Sequence, residues 1–192
     1  MNKPCIALLA AFAASAHAAS LRPLPGPDTD ALAARVQAQV RTSAATGTQV
    51  QFHRRQAFRW QDAEGRSAAI GSVIVQPPAA DAVCLLAIDQ NGALATWNAL
   101  AGNDDQPWSC DGEPALTLAD VTADGAPDLL VLYPYRPPSN QPFMLPLVLR
   151  YSTATHAFEL DPDRTRWLRT PDHLPTTLKD MKAQLRRYRE AR

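Results

Sequence analysis

Three aspartates recur at four-residue intervals in the stretch L-T-L-A-D-V-T-A-D-G-A-P-D-L-L-V-L, Leu116 to Leu132. They are Asp120, Asp124 and Asp128, with Thr122 between the first two and Gly125 directly after the second. Carboxylates spaced this way on a tight loop are oxygen donors for a hard cation. Ca²⁺ takes six to eight oxygens at once, and alternate positions of a loop can present them. The same residues also suit an ordinary polar hairpin turn, because D-G is a common turn dipeptide. Both readings need an apolar strand on each side, and Leu116 to Val121 and Leu129 to Tyr133 supply them.

Gly125 stands sixth from Asp120, where an EF-hand loop needs its glycine. The twelfth place is Val131 instead of a bidentate Glu, and the flanks are strand-like, so the loop is not an EF-hand. It resembles the D-x-[DN]-x-D-G-x-x-D-[LI] loop of FG-GAP and VCBS-type repeats, known from integrin-like β-propellers. Asp120, Asp124, Gly125, Asp128 and Leu129 carry the match, and Leu118 before them agrees with it. The resemblance implies a structural Ca²⁺ held by the side chains of Asp120, Asp124 and Asp128 and by the backbone carbonyl of Ala126. Thr122 departs from the pattern, which has Asn or Asp there, and a hydroxyl is a weaker oxygen ligand. The resemblance covers one loop and its strands. The chain is too short for a seven-bladed propeller, and Asp89-Gln90-Asn91-Gly92 reads better as a hairpin turn than as a second copy.

Catalytic constellations are absent from the spacing. Beyond residue 18 the histidines are His53, His156 and His173, none in H-E-x-x-H or another metal-ligand spacing. There is no G-x-S-x-G and no glycine-rich phosphate loop. The acid pairs Asp104-Asp105 and Asp161/Asp163 sit in turn-like surroundings. Trp60, Trp97, Trp108 and Trp167 could stack on sugars if they shared a face, although core packing is the commoner use of Trp. Trp108 lies in a polar loop, and Tyr135 with Arg136 lies in a proline-rich one, Pro134 to Pro142. These three are the candidate partner-binding residues, because stiff loops lose little entropy on binding.

The first residues, M-N-K-P-C-I-A-L-L-A-A-F-A-A-S-A-H-A, have the layout of a secretory signal peptide. Lys3 supplies the charge, Ile6 to Ala14 the apolar run and Ala16-His17-Ala18 the cleavage site. The expected domains are therefore a signal over residues 1–18 and one mature domain over 19–192. With Lys3 removed from 19 basic residues, 18 face 19 acidic ones, so nucleic acid is not an expected partner. No stretch is long enough to anchor the mature chain in a membrane. Cys84 and Cys110 are the only cysteines after the leader, and in an oxidising compartment they are expected to pair. Closing a loop of this length is worth ~3.5 kcal/mol in the chain-entropy model.

Around these sites the pattern is β-rich. Leu32, Val36 and Val40 stripe one face of a helix from Asp28 or Thr29 to Ser43, preceded by a proline-rich extended lead-in. Period-two alternation from Thr48 gives a run of strands. Asn91-Gly92 is the strongest hairpin signal, and a second hairpin spans Met144 to Leu160. Gly102 to Pro114 reads as a long polar loop. Thr176 or Thr177 caps a C-terminal helix with Leu178, Met181, Leu185 and Tyr188 on its buried stripe and a crowd of Lys and Arg outside. The expected fold is mainly β, with about eight antiparallel strands in propeller-like or meander sheets between two amphipathic helices. The expected function is an exported, periplasmic, non-catalytic binding protein with a protein partner in the envelope. Similarity to small exported proteins bearing this loop suggests an inhibitor or immunity protein against a cell-wall hydrolase. A carbohydrate or cell-wall binding module and a hydrolase with an unrecognised site are the alternatives.

Overall fold

A computed structural model of the chain describes residues 19–100, 106–139 and 141–191. The expected signal peptide and the pair Asp104-Asp105 lie outside them. The fold is mainly β, with antiparallel strands throughout. Sheet A is a five-strand meander: β1 (Ser20–Pro23), β2 (Gln49–Gln61), β3 (Ser67–Gln76), β4 (Val83–Gln90) and β5 (Ala93–Asn98). Sheet B is built on β8 (Asp128–Arg136). On one side it pairs with β9 (Phe143–Ser152), which pairs with β10 (Ala157–Leu160). On its other side it pairs with β6 (Ser109–Cys110) and β7 (Ala115–Ala119).

Alternation along the strands sorts three apolar clusters into layers. Trp60, Ile70, Leu86 and Ile88 of sheet A meet Leu129, Val131, Tyr133 and Leu147 of sheet B in the central core. The opposite face of sheet A, with Ala57, Val73, Val75 and Ala87, receives α1 (Gly26–Ser43) through Leu32, Val36 and Val40. The outer face of sheet B, with Leu130, Leu132 and Val148, receives α2 (Pro162–Leu168) and α3 (Leu178–Glu190) through Leu168, Met181 and Leu185. Two stacked meanders thus lie between helices. The meander half of the expectation holds, and one sheet curls into a half-barrel, but the described strands do not form propeller blades.

Local chemistry explains most boundaries. Asn91 and Gly92, at φ 53° and 79°, make the left-handed pair that a two-residue hairpin needs. Gly71 of β3 lies under α1, where an added Cβ would come 2.5 Å from the Phe52 ring and 3.1 Å from Leu32. The side-chain oxygen of Thr177 caps α3 by accepting from Asp180 N at 3.1 Å.

Three expectations change. The lead-in at Ser20–Pro23 is a strand, because Trp60 and its neighbours on β2 need a partner on that edge. The long polar loop contains β6. Asp161 and Asp163 mark a helix, α2, in which Asp161 accepts from Arg164 N at 2.9 Å as the cap and Pro162 opens the first turn. None of the described helices is long and apolar enough to cross a membrane.

Candidate functional site

The acidic loop joins β7 to β8, and its carboxylates are turned to its own backbone. Asp120 accepts from Ala123 N at 2.7 Å and from Gly125 N at 3.2 Å. Asp124 accepts from Ala126 N at 2.9 Å. Both acids are exposed, and each keeps lone pairs beyond these bonds. Asp128 is different. It is fully buried, and one oxygen accepts from Val121 N (3.0 Å), Thr122 N (3.2 Å) and the Thr122 hydroxyl (3.2 Å). Its other oxygen accepts from Tyr151 N at 3.3 Å, tying the loop to β9. Burial pushes the Asp128 carboxyl above its ordinary range, while the N–H groups of Val121, Tyr151 and Thr122 pull it back.

The placed residues therefore match the implied ligand shell only in part. Asp120 and Asp124 have free lone pairs on the exposed side of the loop. Asp128 and the Thr122 hydroxyl are spent on closing the loop, and Ala126 is buried against the central core. Among the described residues no group of three or more His, Cys, Asp or Glu side chains is arranged to hold a metal ion.

The disulfide and the partner-binding candidates gather at one end of the molecule. Cys84 of β4 and Cys110 of β6 are bonded, with Cα atoms 5.3 Å apart, so the bridge joins sheet A to sheet B. The N–H of Cys110 donates to Ala82 O at 2.8 Å and reinforces the same junction. Strand β6 is short, yet it pairs Ser109 with Arg136 and Cys110 with Tyr135. Trp108, just before it, is half-buried and packs edge-on against half-buried Phe143 with ring centroids 4.8 Å apart. Arg136 is exposed and pairs with Asp111 at 2.5 Å.

Tyr135 is not a loop residue on offer to a partner. It belongs to β8, is fully buried, and its hydroxyl accepts from Cys84 N at 3.0 Å. Burial pushes its phenol up to about 12. The strand runs on through Pro134 because that residue's carbonyl accepts from Asp111 N, beyond β6. The missing N–H faces the same side, where no regular ladder is interrupted. Period-two alternation of Tyr133 and Tyr135 was the signal that this segment is strand, and the surrounding prolines masked it.

The four Trp residues do not share a face. Trp60 is in the central core against Tyr151 and Phe158. Trp167 lies against His173 and meets Tyr188 edge-on beside α3. Trp97 lines a cavity of about 250 Å³ between the β4–β5 and β9–β10 hairpins, with Gln90, Asn91, Thr155 and His156 among its other walls.

One His–Ser contact has no trace in the sequence spacing. In β2, His53 to Gln56 lie against Ser72 alone, a bulge that turns His53 inward. Its Nδ1 is 3.5 Å from Ser72 Oγ, and both residues are buried, at 5% and 1% exposure. The buried Tyr133 hydroxyl stands beside Ser72 without full hydrogen-bond geometry. Burial lowers the His53 pKa, partly offset by the charge of Glu113. A reacting serine must meet its substrate, and this one is enclosed between the sheets.

The chain matches no protein-family model, no curated protein and no solved structure.

Proposed function

We propose that this is an exported, periplasmic binding protein without catalytic activity, whose partner is another protein of the cell envelope. An inhibitor or immunity protein against a cell-wall hydrolase is the specific form of that reading. The supporting observation is the half-exposed Trp108–Phe143 pair, held on a sheet edge by the Cys84–Cys110 bridge and rimmed by the Arg136–Asp111 ion pair. An aromatic centre with a polar rim is the usual anatomy of a protein-binding patch, and a preformed one loses little entropy on docking. Tyr135 supports this patch from beneath.

The test is the rate at which a lysozyme-type hydrolase degrades cell-wall glycan, with and without the protein. Inhibition that falls at least ten-fold in potency in Trp108→Ala supports the proposal. Unchanged hydrolysis across a panel of wall hydrolases removes the inhibitor form.

A second reading, a carbohydrate or cell-wall binding module, is favoured by the cavity at Trp97. An indole beside amide, hydroxyl and imidazole groups suits a sugar ring. Retention on purified wall glycan that is lost in Trp97→Ala would select it. We further propose that the acidic loop takes a structural Ca²⁺ through Asp120 and Asp124, with Asp128 closing the loop behind them.

A further inference from the structure

Three of the five basic residues of α3 line a hollow. With Met181, Leu185 and Tyr188 buried, the neighbouring face of the helix carries Lys182, Arg186 and Arg189, four and three residues apart and so one above another. The end of β7 and the start of the acidic loop run beside that face. Between them is a cavity of about 200 Å³ lined by Ala119, Asp120, Val121, Lys182, Arg186 and Arg189. Lys182 is half-buried, and its Nζ donates to Thr117 Oγ1 of β7 at 3.1 Å, which holds the ammonium against the sheet.

Several of this protein's other cations pair with acids. Arg35 meets Asp89, Arg59 meets Asp28, Arg136 meets Asp111, Arg150 meets Glu159 and Arg164 meets Asp161. Among the described residues no such pair involves Lys182, Arg186 or Arg189. The one acid at the hollow, Asp120, has its carboxylate turned to the N–H groups of Ala123 and Gly125. Like charges three and four residues apart on a helix repel each other, and an anion between them would relieve that repulsion.

We propose that this hollow binds a phosphate group. Two planar guanidinium forks and one ammonium present donors in several directions, which suits a tetrahedral anion better than a flat carboxylate. Three cations against one acid leave an excess of two positive charges, the charge of a phosphate monoester near neutral pH. The hollow has room for one phosphate and a short stem. The group could arrive on a soluble ester or on a lipid headgroup. This site is separate from the Trp108 edge and does not depend on the partner proposed above.

Titration calorimetry of the exported chain with inorganic phosphate, in chelator and at ionic strength fixed with chloride, tests the soluble source. Co-sedimentation with phosphatidic acid vesicles, against phosphatidylcholine vesicles, tests the lipid source. The comparison protein is Arg186→Gln with Arg189→Gln, two exposed helix positions, with its folding verified by melting temperature. Saturable phosphate binding that weakens at least ten-fold in the double variant supports a soluble ester. Sedimentation specific to phosphatidic acid and lost in the variant supports a lipid headgroup. No binding to either probe, or equal binding by the variant, overturns the proposal.

Discussion

The hydroxyl of Tyr135 accepts the backbone N–H of Cys84 at 3.0 Å, joining strand β8 of sheet B to the start of strand β4. The disulfide from Cys84 to Cys110 spans the same junction, and Cys110 is the register partner of Tyr135. A covalent bridge, a strand pair and a side-chain hydrogen bond thus fasten the two sheets at one point. Replacing Tyr135 by Phe keeps the ring and leaves the Cys84 N–H buried without its acceptor. Such a loss costs about 1–3 kcal/mol. Urea unfolding should show this fall with an unchanged slope. A variant as stable as the parent would remove Tyr135 from this role.

His53 should make stability depend on pH below neutrality. Its folded pKa is lowered by burial, so the unfolded chain takes up its proton first as pH falls. The contribution is complete above the unfolded value of about 6.5, and it is lost as pH drops from there toward the folded value. Between those limits the slope stays below about 1.4 kcal/mol per pH unit, the ceiling for a single proton. His53→Gln, which cannot be protonated, should flatten that part of the profile. Urea midpoints measured from pH 8 to pH 5 decide the matter, and parallel profiles for parent and variant would refute it.

The acidic loop separates two roles for its aspartates. On the calcium proposal, Ca²⁺ at a hundred times Kd stabilises the folded chain by about 2.7 kcal/mol, and Asp124→Ala abolishes that gain. For a domain of this size the melting temperature should rise by roughly 5–11 °C. Asp128→Ala should act without any cation. It strands the N–H groups of Val121, Thr122 and Tyr151 and should lower stability in chelator by about 1–3 kcal/mol or more. Identical melting curves in chelator and in millimolar Ca²⁺ would end the calcium proposal. A stable Asp128→Ala would end the structural role.

What the residues determine locally was readable from their order. The stripe Leu32, Val36 and Val40 specifies α1 because helical spacing brings those positions to one side. Asn91-Gly92 specifies its hairpin because few other residues accept two consecutive left-handed conformations. Cys84 and Cys110 are the only cysteines after the expected signal peptide, and they are bonded. Other features depend on contacts between residues far apart in the chain, which no local pattern encodes. Whether Tyr135 faced solvent was decided by Cys84, 51 positions away, which supplies the N–H that makes its burial tolerable. Asp128 became a backbone staple because β9 brings Tyr151 N within reach. The charges on α3 gained a hollow because β7 and the acidic loop run alongside them. Residue type and spacing determine which groups a segment can present, and only the packing of sheet on sheet determines which of those groups remain accessible to a ligand.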